Sequence, residues 1–373
     1  MKRWKMLAVV AFICLIAGGC GKKYEKVDVS AELETEPVTT TAPETTTVEE
    51  TTTEEETGPA ERDEIDGKIR SYLTGEMVPV SIGNRRPVAI MMSNDKQACP
   101  QSGINYAGVI YEAPVEGGMN RYMGVFEDYD NLDKIGVLRS CRTYYTYFAR
   151  EFEAIYAHYG QSTFAKPYLK NVDNLNGVEG IGETVYYRTT DRKKPHNAYT
   201  SYKGLQAGIE KKGYSQEYPD TYKGHFLFVR DGKKAELVNP VDCYKVVPGY
   251  VYNKPWFEYN EEDGLYYRYQ YDGPHKDDQG QQIAVKNIII QYCEYGHYAT
   301  TEYLDINVHG AAHPIGKYIT DGKAVDVTWK KDGEFGPTRF YDENGKEIVF
   351  NQGRTWICIV GADRIEKTEI YGK

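Results

Sequence analysis

Short apolar runs, separated by glycine and proline, begin after residue 67 of the chain. Runs at 88–92, 109–111 and 122–126 are mostly apolar and are bounded by turn-forming residues. Runs of this length and composition are typical of buried strands. We therefore predict three strands in this part of the chain.

A strand–helix–strand unit is predicted next. Residues 134–138 and 154–158 have the pattern of strands, and between them Ser140 is a good N-cap for a helix over 142–152. Aromatic residues recur at helical spacing along that helix. Further helices are predicted at 163–171 and 201–212.

A strand is predicted at 184–188, after a glycine-rich loop at 176–182. Alternation of helices and strands of this kind is typical of layered domains that carry helices on a sheet. The sequence therefore predicts an α/β or α+β N-terminal domain over 67–222.

The pattern changes after Phe226, where helical periodicity disappears. Short β-rich runs alternate with turn dipeptides such as Asp231-Gly232 and Asp321-Gly322. Such dipeptides between apolar runs are hairpin signals. We therefore predict a β-rich C-terminal domain over 223–373.

The first 20 residues have the pattern of an export signal. Basic residues precede an apolar run at 6–16, and small residues at 17–19 lead directly to Cys20. The run is too short to span a membrane comfortably. This pattern predicts a lipoprotein signal peptide over 1–19 and lipid attachment at Cys20. The alternative is ordinary secretion, with Cys20 unmodified.

The segment that follows is acidic and rich in threonine. Residues 30–64 contain 12 acidic residues and one basic residue, and 28–64 contain no aromatic residue. Such a segment cannot bury enough apolar surface to offset the entropy of ordering it. We predict that 20–66 is a lipidated cysteine followed by a disordered linker that lets the folded part stand away from the membrane. The alternative is a recognition tail.

The distribution of charge excludes one class of partner. Residues 1–29 carry a net charge of +4 and residues 30–64 carry −11, so −3 of the total of −10 remains for 65–373. A nearly neutral body has no general attraction for phosphate backbones. We therefore expect no nucleic-acid partner.

The cysteines favour buried thiols. Five remain outside the signal and Cys20, at wide spacings and without a CxxC pair: Cys99, Cys141, Cys243, Cys293 and Cys358. This argues against a disulfide framework and against a thiolate zinc site. One disulfide remains open, as does a nucleophilic role for Cys141, whose thiolate the flanking Arg139 and Arg142 would stabilise.

The best candidate for ligand binding lies at the start of the predicted helix 142–152. Arg139, Ser140 and Arg142 stand there, and His158 ends the next predicted strand. Strand carboxyl ends and helix N-termini meet at one edge of a parallel sheet, where anions bind. We therefore expect a carboxylate or phosphate ligand, with Arg121 as a further contact. The alternative is that the arginines pair with acids and only organise the fold.

Glu112 and Glu116 form a second candidate site, followed by Gly117-Gly118. Two carboxylates could act as acid and base on a glycosidic or phosphoester bond, and glycine lets the backbone approach a ligand. The default alternative is a turn with ion-paired acids.

Arg192, His196 and Asn197 form a third candidate, around Pro195. His196 could be a general acid or base beside the amide of Asn197. It could equally cap a helix or bond a core carbonyl.

We expect neither metal nor cofactor. His309 and His313 have the i, i+4 spacing of a helical metal site, but the region around them is glycine-rich and β-like.

Taken in order, these motifs resemble the YerB-like family of Gram-positive lipoproteins, in which two consecutive domains of unknown function follow the linker. The departures are Cys141, where the resemblance implies a small residue, and Asn120, where it implies Thr; the first weakens a thiol mechanism. The resemblance implies placement and domain layout without naming a reaction. The matching stretches are 86–92, 111–121, 136–142, 158–160, 195–197, 287–290, 322–323, 328–330 and 353–357.

We therefore expect a lipoprotein on the outer face of the cell membrane that binds an anionic or glycan cell-wall ligand. The binding residues would be Arg121, Arg139, Arg142, His158 and His196, with the β-rich domain supporting the site or binding an envelope protein. Two alternatives stay open: an envelope glycan or phosphoester hydrolase, and a non-catalytic scaffold.

Overall fold

A computed structural model describes residues 24–27 and 59–373. The predicted signal peptide, Cys20 and residues 28–58 lie outside the described residues. In the described part of the chain, no helix is long and apolar enough to cross a membrane.

The first half of the chain combines strands with four helices, two of which are single turns. The helices are α1 (Val80–Gly83), α2 (Thr143–Glu151), α3 (Gly182–Val185) and α4 (Tyr202–Lys212). The strands are β1 (Glu25–Val27), β2 (Lys68–Arg70), β3 (Met77–Pro79), β4 (Val88–Ser93), β5 (Val109–Pro114), β6 (Asn120–Phe126), β7 (Ile135–Gly136), β8 (Ile155–His158), β9 (Asn174–Asn176), β10 (Tyr186–Arg188) and β11 (Ala198–Thr200).

The second half is built of strands, as the hairpin signals predict. They are β12 (Leu227–Phe228), β13 (Val241–Asp242), β14 (Lys245–Val247), β15 (Trp256–Asn260), β16 (Leu265–Gln270), β17 (Gly273–Pro274), β18 (Ala284–Val285), β19 (Asn287–Cys293), β20 (Tyr295–His297), β21 (Leu304–Ile306), β22 (Ile315–Thr320), β23 (Lys323–Lys331), β24 (Thr338–Tyr341), β25 (Val349–Phe350), β26 (Thr355–Gly361) and β27 (Glu369–Gly372).

One sheet of 11 strands runs through both halves of the chain, in the order β13-β23-β22-β19-β26-β5-β6-β4-β8-β9, with β24 on β23. Its centre is the parallel triplet β19, β26 and β5, in which Ile289, Ile357 and Tyr111 lie side by side. All three strands are almost entirely buried, as parallel strands covered on both faces are. The boundary predicted at 222/223 therefore does not separate two sheets.

Helix α2 and a second sheet cover opposite faces of the main sheet. The ring of Phe148 in α2 stacks on Tyr111 of β5 at 4.3 Å between centroids. On the other face, the sheet β1-β27-β14-β15-β16-β17 packs against β26 through Phe257 and Trp356, whose rings are 5.8 Å apart. The main sheet thus forms the middle layer of the molecule.

The predicted strands 88–92, 109–111 and 122–126 are confirmed as the cores of β4, β5 and β6. The strand–helix–strand unit differs from the prediction. Only two residues form β7, and β7 pairs with β11 rather than entering the main sheet beside β8. Ser140 is not the N-cap of α2, because Arg142 holds that position and no side chain caps the helix.

Two other predicted elements are shorter or different. Most of 163–171 is turns that end in a 3₁₀ helix at Leu169–Asn171. The helix predicted at 201–212 is present as α4, and Ser201 is its N-cap. Part of the predicted strand 184–188 is helical, in α3, and only Tyr186–Arg188 pairs in β10.

The structure also differs from the linker predicted over 20–66, because the described residues at both of its ends contact the folded body. Residues 25–27 form β1, which pairs with β27. Near the other end, the amide of Ala60 donates to the carbonyl of Phe228, and Arg62 donates to the carbonyls of Arg70 and Gly83. Composition alone did not reveal these contacts, which are made by backbone and by a few side chains.

Candidate functional site

The carboxyl ends of six strands meet at one edge of the main sheet. Strands β19, β26 and β5 are parallel, as are β4, β8 and β9, and β6 is antiparallel to both β5 and β4. All six therefore point the same way. Ligands of open sheets bind outside such an edge, so we call it the carboxyl edge and examine the groups along it.

Three arginines form a cluster at this edge, as the sequence predicts. Arg121 lies in β6, Arg142 precedes α2, and Arg139 lies on the segment bonded to β4. The charges of Arg142 and Arg139 lower the pKa of Arg121, and the charge of Arg142 lowers the pKa of Arg139. We call Arg121, Arg139 and Arg142 the arginine cluster.

Arg142 is saturated by protein acceptors. Its Nε and Nη2 donate to the two carboxylate oxygens of Glu116 at 2.5 Å each, and its Nη1 donates to the carbonyl of Cys141. Such a bidentate pair is strong and geometrically fixed. Burial acts to raise the pKa of Glu116, but the hydrogen bonds and charge of Arg142 outweigh burial and lower it. Glu116 is therefore held as a carboxylate.

Arg121 also has protein partners, although fewer than Arg142. Its Nη1 donates to the carbonyl of Ser140 at 2.6 Å, and its Nη2 lies 3.9 Å from the Glu116 carboxylate. Burial, together with Arg142 and Arg139, lowers the pKa of Arg121 to about 10.

Arg139 differs from its two neighbours. Among the described residues, its guanidinium has no hydrogen-bond or ion-pair partner. Burial and the charge of Arg142 lower its pKa, and the more distant charges of Asp95 and Glu116 oppose this change. A half-buried guanidinium with five free donors is the group in the cluster that can take up an external anion.

A cleft of about 340 Å³ adjoins the cluster at the carboxyl ends of β5, β26 and β19. Glu116 belongs both to its lining and to the arginine cluster's ion pairs. The lining is mainly apolar, with a few charged groups. It includes Glu116, Tyr250, Tyr295, His297, Glu302 and Arg364.

Tyrosine rings and glycines shape this cleft. The Tyr250 hydroxyl lies 2.9 Å from the carbonyl oxygens of Glu112 and Ile359, which fixes the ring. Tyr295 is 41% exposed on the rim. Gly117 and Gly118 both have positive φ, and nothing lies within 4 Å of where a Cβ would stand. The backbone there is open to a ligand.

Glu112 lies elsewhere. It is fully buried on the opposite face of the main sheet, where Arg268 Nη2 donates to both of its carboxylate oxygens at 3.0 and 2.9 Å. The side chains of Asn120, Asn253 and Trp356 donate to it as well. The two glutamates predicted as an acid–base pair are thus not brought together.

Three of the predicted ligand-binding residues make internal contacts instead. The ring of His158 is buried, with Nδ1 2.8 Å from the carbonyl of Gly160, and burial lowers its pKa. The Ser140 hydroxyl donates to the carbonyl of Tyr159. Asn197 accepts from Arg188 and donates to the carbonyl of Thr189. These bonds fix turns beside the carboxyl edge.

His196 lies near the cluster, outside the cleft. Its Nδ1 is buried and has no hydrogen-bond partner among the described residues. Burial lowers the pKa of His196, and the charges of Arg139 and Arg192 lower it further, whereas the charge of Asp95 raises it. Asp95 and Arg139 are therefore near its ring. Arg192 itself donates to the carbonyls of Ala98 and Pro100 and connects two loops.

The described cysteines are all free, and four of the five are buried. Burial raises the pKa of Cys141 to about 12, which leaves a thiol and removes the basis for a nucleophile. Among the described residues, no group of three or more His, Cys, Asp or Glu side chains could hold a metal ion.

Sequence reasoning missed the cleft residues of the second half, namely Tyr250, Tyr295 and Arg364, and the core partner Arg268. Tyr295 and Arg364 follow the apolar strands β19 and β26, so a rule that places ligands after parallel strands could have found them. That rule requires knowing that these strands pair in parallel with β5.

Comparison with known proteins gives consistent matches over both halves of the chain. Residues 73–215 match the N-terminal domain, and residues 246–357 the C-terminal domain, of the family described as protein of unknown function (DUF3048). A Bacillus subtilis (strain 168) protein named "Putative lipoprotein YerB" is 30% identical over 302 residues, which cover 79% of this chain and 86% of that protein. The crystal structure of YerB protein from Bacillus subtilis superposes with a TM-score of 0.70 at 26% identity, over 80% of this chain and 98% of that one.

Proposed function

Because this chain belongs to the DUF3048 family, in which a similar protein is named a lipoprotein, we propose that it is a lipoprotein of the cell envelope that binds an anionic glycan. Lipid on Cys20, after removal of the signal peptide 1–19, anchors it to the outer face of the cell membrane. The ligand occupies the cleft and reaches the arginine cluster.

The observation that carries this proposal is the free guanidinium of Arg139. Its two neighbours in the cluster already have protein acceptors, whereas Arg139 has none among the described residues. Partial burial of a cation whose N–H donors have no acceptors costs free energy unless an anion or water accepts those hydrogen bonds. A ligand carboxylate or phosphate supplies the missing acceptor.

The adjoining cleft supports a sugar as the rest of the ligand. Its lining is mainly apolar, and aromatic rings stand on its floor and rim at Tyr250 and Tyr295. Sugar rings present apolar faces that stack on aromatic side chains, while charged groups such as Glu302 and Arg364 can bond hydroxyls. The shared residue Glu116 joins the sugar site to the anion site.

Binding is favoured over hydrolysis by the state of the candidate acids. A glycosidase of the common two-carboxylate kind needs one protonated acid and one carboxylate across the bond. Here Glu112 is enclosed in the core with Arg268, and Arg142 keeps the pKa of Glu116 low despite its burial. His196 is not part of the cleft lining. The acid–base residues predicted from the sequence therefore do not meet in this cleft.

Calorimetric titration with two disaccharides tests the proposal. The disaccharide of N-acetylglucosamine and N-acetylmuramic acid carries a carboxylate, and chitobiose is its neutral counterpart. We expect the acidic disaccharide to bind more tightly, and Arg139→Ala to remove that advantage. A charge-assisted hydrogen bond contributes about 2 kcal/mol, or a factor of about 30 in Kd.

Arg150→Ala is the matched control, since Arg150 lies at the other end of α2 and pairs with Glu153. It should leave both affinities unchanged. Equal binding of the two disaccharides, or an acidic advantage that survives in Arg139→Ala, would place the anion elsewhere. Absence of binding by either disaccharide would contradict the glycan site and favour the scaffold alternative.

A further inference from the structure

The first described residues of the chain are fixed to the second sheet. Strand β1 pairs with β27, with Glu25 opposite Gly372 and Val27 opposite Ile370. Lys26 forms an ion pair with Glu369 at 2.8 Å. The ring of Tyr24, just before the strand, stacks on Tyr244 at 6.4 Å. Residues 24–27 are thus part of the folded body.

The proposed lipid attachment site is close to this strand in sequence. Tyr24 follows Cys20 by four residues. A fully extended chain advances at most about 3.6 Å per residue, so the lipidated cysteine lies within about 14 Å of Tyr24. This limit holds for any conformation of the residues between them.

Tyr24 stands at one definite end of the second sheet. Strand β14, which pairs with the other edge of β27, begins just after Tyr244, and the Tyr244 hydroxyl donates to Glu261 at 2.6 Å. Glu261 opens the turn between β15 and β16, and it also accepts from Lys373 at 2.8 Å. We call this end, with the turn 261–264 and Lys373, the anchor end.

The anchor end is also the amino end of the parallel strands of the main sheet. Lys286, which precedes β19, donates from Nζ to the carbonyl of Gly264 at 3.2 Å and pairs with Asp321. The seven residues of β19 then lead away from this end, over about 20 Å, to the carboxyl edge. The cleft therefore lies at the opposite end of the molecule from Tyr24.

We propose that the lipid on Cys20 holds the anchor end against the membrane and points the carboxyl edge, with its cleft, away from the bilayer. This inference rests on the proposed lipoprotein character. The described chain contacts the body on both sides of 28–58, through β1 and through Ala60, so the length of that segment does not set the distance between Cys20 and the body. The protein then presents its binding edge to polymers beyond the membrane surface.

The described anchor end offers no basic patch, because its Lys373 is paired with Glu261, so the lipid rather than the protein surface supplies the attachment. Glu262 and Asp263 stand on its turn as exposed acids, beside Glu261. Acidic side chains have no attraction for anionic headgroups. We therefore expect the same orientation on neutral and on anionic vesicles.

Short-range fluorescence quenching tests this orientation. The full lipidated chain is inserted into phosphatidylcholine vesicles that contain a nitroxide-headgroup lipid, with one environment-independent fluorophore on Glu262→Cys or on Glu179→Cys. Both positions are exposed glutamates, the first on the anchor end and the second beyond β9 at the carboxyl edge. The chain without an added cysteine controls for labelling of Cys99. We expect loss of most fluorescence at position 262 and no loss at position 179.

Two further variants test the role of β1. Deletion of 28–58 should leave both signals unchanged. Tyr24→Ala with Val27→Asp, which removes the ring stack and puts a charge where Val27 packs, should abolish the quenching at 262. Equal quenching at both positions of the intact chain, or stronger quenching at 179, would overturn the orientation. Failure of the chain to float with vesicles would instead overturn the lipoprotein proposal.

Discussion

Glu112 and Glu116 lie four residues apart at the end of β5, and their surroundings give them different roles. Glu112 is fully buried and bonded by Arg268, Asn253 and Trp356. Glu116 sits at the carboxyl edge and pairs with Arg142. The first organises the core, and the second positions a largely buried arginine cluster at the carboxyl edge.

Substitution of Glu112 should therefore act on stability. Glu112→Gln leaves the buried Arg268 without its counter-charge, and breaking one side of a buried pair costs about 3–5 kcal/mol. Urea unfolding of this variant and of Glu116→Gln measures the difference, and we expect the smaller loss in Glu116→Gln. A Glu112→Gln protein of unchanged stability that had lost a hydrolytic activity would contradict this role.

Glu127 is a second buried carboxyl group, in a polar cluster under the start of the folded body. The Ser71 hydroxyl donates to its Oε1, and its Oε2 is buried without a partner among the described residues. Burial raises the pKa of Glu127 to about 7, and Ser71 and Arg62 oppose this effect. The folded state therefore binds the proton more tightly than the unfolded chain.

This shift gives a pH dependence of definite sign. The stabilisation from Glu127 is present below its ordinary pKa of 4.5 and is lost as the pH rises through about 7, which amounts to about 3 kcal/mol. Glu127→Gln should match the wild-type free energy of unfolding at pH 5 and exceed it at pH 8. The exposed Glu262→Gln should match wild type at both. Equal pH dependence in Glu127→Gln and wild type would refute the assignment.

The location of the arginine cluster could be predicted in large part from the sequence, because basic residues before a helix and at the end of a strand are expected at the same edge of a sheet. The sequence could not predict which of the three arginines lacks a protein acceptor. That depends on the side-chain geometry that directs Glu116 to Arg142 and the Ser140 carbonyl to Arg121. The spacing of Glu112 and Glu116 also could not show that they have different surroundings. Glu112 is in the core because β5 is paired with a strand on each side, and that pairing is not visible in the sequence.

The end of strand β26 forms one wall of the cleft. Gly361 ends this strand, and the ring of Tyr295, from β20, packs where a Cβ on Gly361 would stand. A side chain there must displace the ring or the Asp363 carboxylate. The position of the Tyr295 ring on the rim therefore depends on residue 361 having no side chain.

Gly361→Ala should weaken glycan binding because it moves Tyr295. Gly296→Ala is the matched control, since Gly296 lies next to Tyr295 in β20 and nothing lies within 4 Å of its Cβ position. Titration with the acidic disaccharide should show weaker binding for the first variant alone. Unchanged affinity in Gly361→Ala would exclude Tyr295 from the ligand site.

Elements with a strong local pattern could be predicted, and those that depend on pairing could not. Continuous apolar runs identified β4, β5 and β6, and the helix predicted at 201–212 is α4, which Ser201 caps. Ser140 has the same chemistry as Ser201, but its hydroxyl bonds the carbonyl of Tyr159, so it does not cap α2. Tertiary contacts decide between these two uses of a serine.

At the scale of the whole molecule, the main sheet joins residues more than 200 positions apart. Val109 of β5 pairs with Thr355 of β26, and β26 in turn pairs with β19. Local pattern predicted the run at 109–111 and β-rich runs after Phe226, but it carries no information about parallel register between them. The two family segments are therefore consecutive in sequence and continuous in the sheet.

This continuity predicts one cooperative unfolding transition for residues 59–373. Separation of the halves would expose β5 and β26 as unpaired apolar edges, which favours aggregation. Calorimetry should give equal calorimetric and van't Hoff enthalpies, and residues 59–222 alone should not fold. Two separate transitions, or a soluble folded 59–222 fragment, would contradict the shared sheet.

The proposed function depends on binding of an anionic glycan at the carboxyl edge. Its most direct test is a crystal structure of residues 59–373 grown with the disaccharide of N-acetylglucosamine and N-acetylmuramic acid above its measured Kd. We expect sugar density between Gly117 and Tyr295, with the ligand carboxylate within hydrogen-bond distance of Arg139. An empty cleft, or an ordered disaccharide elsewhere on the protein, would contradict it.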